Sequence, residues 1–140
     1  MQLKDIYSQP GYLIRRLHQR STAEFAIAAN GLGVTQIQFS ILLAVRDFPE
    51  IDATRISELI YSDRTTIRQA LLILEKKNLI KREPGSQDRR TKTLAITAEG
   101  RSLLDSVAKA VPDLGKAILR GLDGKERALF LRLLGKMVDP

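Results

Sequence analysis

From Pro10 onward, Leu13, Ile14, Leu17, Ser21, Phe25 and Ala28 follow the spacing of one helix face. Pro10 suits the first turn of that helix, where its missing N–H costs nothing, and Gly31 and Gly33 end it. The residues ahead of it are polar and predict a loose start. Thr35 is a good N-cap for a second helix, Gln36–Arg46. Its apolar residues (Ile37, Phe39, Ile41, Leu42, Leu43 and Val45) surround the axis, which marks a central helix covered on several sides. Pro49 stops it. Asp52 caps a short third helix, with Ile56, Leu59 and Ile60 turned inward. After the turn at Tyr61-Ser62, either Ser62 or Asp63 caps a fourth helix. Its buried stripe is Ile67, Ala70, Leu71 and Leu74; Leu72 and Ile73 fall off that stripe with no role assigned.

Asn78 can take the left-handed conformation that closes the fourth helix. The helical period then gives way to two short strands, Leu79–Glu83 and Lys92–Ile96, joined by the turn-rich Pro84–Thr91. Thr97 caps a fifth helix whose stripe runs through Leu103, Leu104, Val107, Val111, Leu114 and Ile118. Pro112 lies inside that stripe, so a kink is expected near Val111. Gly121 ends the helix. Asp123 with Glu126 forms a capping-box start for a sixth, which carries Leu129, Phe130, Leu133, Leu134 and Met137.

Helix, turn, helix, strand, basic loop, strand is the order of a winged helix-turn-helix. The fold class is therefore mainly α with a small β-wing, in a single domain over 1–140. Residues 34–97 form the lobe. The flanking helices, 10–33 and 98–138, carry more apolar surface than so small a lobe can cover. Left open, that surface would aggregate, so a second copy of the chain is expected to complete a homodimer through these helices.

Composition narrows the chemistry. The chain has 140 residues, no Cys and one His. A thiolate nucleophile, a disulfide framework and a His-rich metal site are excluded, and no nucleophile–base pair or phosphate loop is visible. We expect no enzyme, no metal and no cofactor. No apolar run approaches the ~20 residues that span a bilayer, and the start lacks an apolar signal core, so no membrane partner and a cytoplasmic location are expected. The formal net charge is +7, and Arg and Lys crowd into Arg64–Lys92. Such a cluster fits a polyanion.

The fourth helix supplies the means to read double-stranded DNA. Thr65 and Gln69 point directly away from its buried stripe, flanked by Thr66 and Arg68. Arg can pair with guanine, Gln with adenine, and a Thr methyl can meet thymine's methyl. Arg64, at the first turn, is better placed for phosphate. In the wing, Asp88 can orient one of Arg89 and Arg90 while the other enters a narrow minor groove. Lys81, Arg82 and Lys92 are expected beside phosphates.

These residues also carry a resemblance. Asp88-x-Arg90-x5-Ile96-Thr97-x2-Gly100 resembles the wing signature of the MarR family, with Ile96 where that signature has Leu. Val34-Thr35-x2-Gln38-Phe39 is similar to the start of the family's second helix. Asp63-Arg64-Thr65-Thr66 and Leu74–Ile80 are similar to its recognition helix and exit, with Asn78 where Gly is frequent. The resemblance runs from about Tyr12 to Val138. It implies a dimer built from the first, fifth and sixth helices; two protomers, each with a reading helix, make a palindromic operator the natural partner. The resemblance further implies repression relieved by a small aromatic acid or phenol.

Tyr12–His18 is similar to members that govern aromatic-acid breakdown, which points to a nicotinate- or benzoate-like effector. Arg15 and His18, one turn apart, could hold its carboxylate, and Gln19, Thr22, Gln38 and Phe39 could wall the pocket. The same cations would equally serve as a solvated helix face, or pair with acids of the partner chain. The competing class is a non-specific or architectural nucleic-acid binder, held by charge alone. The directed polar face at Thr65–Gln69 argues against it.

Overall fold

A computed structural model describes residues 2–88, 90–109 and 111–138; the side chains of Val111 and Pro112 are outside the description. The elements in order are α1 (Pro10–Ala28), α2 (Gln36–Asp47), α3 (Ala53–Leu59), α4 (Arg64–Lys76), β1 (Ile80–Pro84), β2 (Lys92–Ile96), α5 (Ala98–Ala108), α6 (Val111–Ile118) and α7 (Gly124–Val138). The chain falls into two compact units, 25–110 and 1–24 with 111–140. The helix α1 runs from one into the other, with Phe25 the first residue of the larger unit.

The larger unit holds the core. Ile41 and Leu42 of α2 are fully buried, and α2 packs against α3, α4, α5 and β2. This is the central role expected of a helix apolar on all sides. Ile56, Ile67, Leu71, Leu74, Leu104 and Val107 close around it, and Phe25 tilts against Phe39 with ring centroids 5.7 Å apart. Local capping fixes where each helix starts. Thr35 and Gln38 cap α2 reciprocally, so the Gln38 Oε1 accepts the Thr35 N–H at 3.1 Å. Asp52 caps α3 and Thr97 caps α5.

The strands β1 and β2 pair antiparallel, Ile80 opposite Ile96 and Pro84 opposite Lys92. The Leu94 N–H also donates to the Ile51 carbonyl at 2.9 Å, which ties the wing to the segment after α2. Asn78 has φ +56, the left-handed closure expected of it. Leu79 belongs to that closure rather than to the strand: its N–H donates to the Leu74 carbonyl and its own carbonyl accepts from Thr97. A side chain at Gly100 would run into that same Leu79 carbonyl, so glycine lets α5 start close under the wing.

The smaller unit contains a short 3-10 turn (Leu3–Ile6), the first part of α1, α6 and α7. The chain start is therefore more ordered than its polarity suggests: the Gln2 N–H donates to the Asp5 carboxylate at 2.7 Å. The single long fifth helix expected from the apolar stripe is two helices, with α6 restarting at Val111 and Pro112 in its first turn. Gly121 takes φ +101 at the following turn. Asp123 and Glu126 make both legs of the expected capping box. In α1, Arg20 Nη2 donates to the Ala117 and Arg120 carbonyls at the end of α6, and Arg120 pairs with Glu24 at 3.2 Å. None of the described residues of this unit is buried.

Candidate nucleic-acid interface and effector residues

Asp63 starts α4. Its carboxylate accepts from the Thr66 N–H at 2.9 Å and from the Thr66 hydroxyl. These bonds, the hydroxyl's first, hold the Asp63 carboxyl below the ordinary carboxylate range. The hydroxyl of Thr66 is thus engaged in the cap, which leaves its methyl for contact with a partner.

Burial then sorts α4 cleanly. Ile67, Ala70, Leu71 and Leu74 are buried; Arg64, Thr65, Arg68 and Gln69 are exposed. Among the described residues neither Arg64 nor Arg68 forms an ion pair. The face expected to meet base edges therefore has its donors open.

The wing turn is built by local hydrogen bonds. Asp88 Oδ1 accepts the Arg90 backbone N–H at 2.9 Å, its carbonyl accepts from Thr91, and the Gly85 N–H donates to the Thr91 carbonyl. So Asp88 shapes the turn through the Arg90 backbone rather than its guanidinium. Arg89 lies outside the described residues. Arg90 and Lys92 are exposed and form no ion pair among the described residues. Ser86 anchors the turn from below, donating its N–H and hydroxyl to the Glu50 carboxylate at 3.2 and 2.7 Å. Sequence reading gave Glu50 no role, because its partner lies far along the chain.

Two residues expected beside phosphates form ion pairs within the protein. Lys81 pairs with Glu83 at 2.6 Å. Arg82 makes a two-pronged contact with Glu75, at 2.6 and 3.2 Å. That contact joins β1 to the last turn of α4 and so fixes the wing against the reading helix.

The six candidate effector residues are divided. Gln38 and Phe39 belong to the larger unit, where Gln38 is buried and serves the α2 cap. Arg15, His18, Gln19 and Thr22 belong to the smaller one. His18 lines an apolar groove of about 870 Å³ with Leu17, Ser21, Phe130 and Leu134. Gln19 instead lines a shallower, basic depression with Arg16, Arg20 and Arg120. The Arg15 guanidinium lies over the Tyr12 ring, 5.3 Å from its centroid. The Thr22 hydroxyl donates to the His18 carbonyl at 3.1 Å. Within this unit, then, the four do not converge on one point. Among the described residues no His, Asp or Glu cluster could hold a metal, and no helix is long and apolar enough to cross a membrane.

Several proteins similar to this chain are transcriptional regulators. The MarR family model matches residues 34–92. The HTH-type transcriptional repressor NicR of Pseudomonas putida is 32% identical over 135 residues, which cover 96% of this chain and 85% of NicR. The structure of Bordetella bronchiseptica BpsR, whose DNA binding is regulated by 6-hydroxynicotinic acid, matches with a TM-score of 0.87 at 28% identity, over 96% of each chain. Streptomyces coelicolor PcaV, in complex with its natural ligand, matches with a TM-score of 0.86 at 26% identity, over 99% of this chain and 98% of its own. By motif, by whole-chain identity and by fold, the protein belongs to the MarR family.

Proposed function

We propose that this protein is a sequence-specific transcriptional repressor, not an enzyme, that grips a palindromic operator as a homodimer in the cytoplasm. We further propose that a small aromatic carboxylate releases it. The observation that carries the reading is the outward face of α4, where Thr65, Arg68 and Gln69 stand exposed beside a charged wing. Arg68 and Gln69 hydrogen-bond base edges in the major groove. Arg64 and Lys92 meet phosphates, and Arg90 enters the neighbouring minor groove. Dimerisation runs through residues 10–33 and 98–138.

The effector class follows from the 6-hydroxynicotinic acid response of BpsR. A pyridine or benzene carboxylate is held by Arg15 and His18, one turn apart on α1. Sequence specificity is tested by competition with unrelated duplex at fixed salt: specific DNA should stay bound, and equal competition would leave only charge. Arg90→Ala should weaken all sites and flatten any preference for A·T pairs beneath the wing. The effector is tested by thermal shift with 6-hydroxynicotinate, nicotinate and benzoate. A ligand at a hundredfold excess over its Kd should stabilise by about 2.7 kcal/mol, and replacing Arg15 and His18 should abolish the shift. A shift that survives both replacements moves the pocket elsewhere.

A further inference from the structure

The outward face of α4 does not end at Gln69. With 3.6 residues per turn, Thr65, Gln69, Leu72 and Lys76 fall within about 60° of one another, opposite the buried stripe. Leu72 is 57% exposed, whereas its neighbour Leu71 is 1% exposed. Singly exposed leucines are common on protein surfaces; this one is informative for its place, in line with Thr65, Gln69 and Lys76 on a polar, cationic face. Its neighbours one turn away on either side, Arg68 and Lys76, are exposed cations, which select a polyanion rather than an apolar protein surface. The partner is then DNA, and the apolar feature on the floor of the major groove is the C5-methyl of thymine.

The dimensions agree. Leu72 lies about 4.5 Å along the axis from Gln69 and about 10 Å from Thr65. Those distances are roughly one and three base-pair steps of 3.4 Å. We propose that Leu72 is a specificity residue that seats against a thymine methyl in each half-site, extending the readout one helical turn past Gln69. The inference rests on the DNA-reading role of α4 and adds a base preference to it. Ile73 is 43% exposed but lies about 100° round the axis from Leu72, and it is the internal control.

The test uses the full chain. A half-site motif is selected from random duplex at fixed salt, and each thymine in it is then replaced singly by deoxyuridine, which removes only the methyl. For the wild type, one thymine per half-site should cost about fourfold in affinity, the effect of returning one buried methyl group to water. In Leu72→Ala that cost should vanish, while Ile73→Ala should keep it. Indifference of the wild type to uracil everywhere on a selected motif overturns the inference and leaves the role of α4 intact. So does undiminished sensitivity in a folded Leu72→Ala or Leu72→Gln. A wild type that selects no motif overturns the role of α4 and this inference together.

Discussion

Asp63 shows how much a single capping carboxylate organises. It accepts two hydrogen bonds from Thr66 at the positive end of α4, and both favour its charged form. A carboxyl whose folded pKa is depressed contributes stability above its unfolded value of about 3.9. That contribution is lost as pH falls through the lower folded value. We therefore expect the Asp63 carboxyl to titrate below about 3.9 when followed by NMR, with the first turn of α4 losing amide protection over the same range. Thr66→Val removes the largest cause and should move the midpoint upward; an unmoved midpoint would acquit the hydroxyl. Asp63→Asn keeps an acceptor and should hold the turn without the pH dependence. Caps of this kind were legible in the sequence because donor and acceptor are three residues apart. Leu72 was harder to read, since its exposure makes sense only once Thr65, Gln69 and Lys76 are seen to share its face.

Elements separate less cleanly along the sequence than their boundaries suggest. The apolar stripe from Leu103 to Ile118 reads as one helix, yet α6 restarts at Val111, because the stripe records which side faces inward and not whether the backbone is continuous. The wing strands were legible to within a residue, Leu79 being taken by the helix closure. The Arg82–Glu75 contact was not legible: seven residues separate the pair, and only the left-handed Asn78 turns β1 back along α4. Both partners are partly solvated, so the pair should contribute no more than ~1 kcal/mol to stability. Its role is positional. In Glu75→Ala, melting should change little, while Arg82 is released toward the DNA backbone. Non-specific affinity should then rise, and the plot of log K against log salt should steepen by about 0.9 for each protomer. An unaltered slope would mean that Arg82 cannot reach a phosphate even when freed.

At the scale of the whole molecule, the two units differ in kind. Among the described residues, all the buried apolar side chains lie between Phe25 and Val107, in the larger unit. The smaller unit has none among its described residues, although Leu13, Ile14, Leu131, Leu133 and Met137 are each roughly half exposed or more and line the groove beside His18. Helices with so little fully buried apolar surface gain little stability alone in water, so the proposed homodimer places a second copy over this groove. The excess of apolar side chains was readable in the terminal helices; the groove's shape was not, because it depends on how α6 restarts. Leu131 is 57% exposed, so Leu131→Glu should leave the core of the larger unit undisturbed while placing an unpaired charge in the proposed dimer face. Light scattering at micromolar concentration should then report a monomer. Affinity for a single half-site should be nearly retained, but the gain from joining two half-sites in one operator should disappear, because that gain requires both recognition helices on one body. A variant that remains dimeric and still prefers the palindrome would place the interface elsewhere and leave the groove to another occupant.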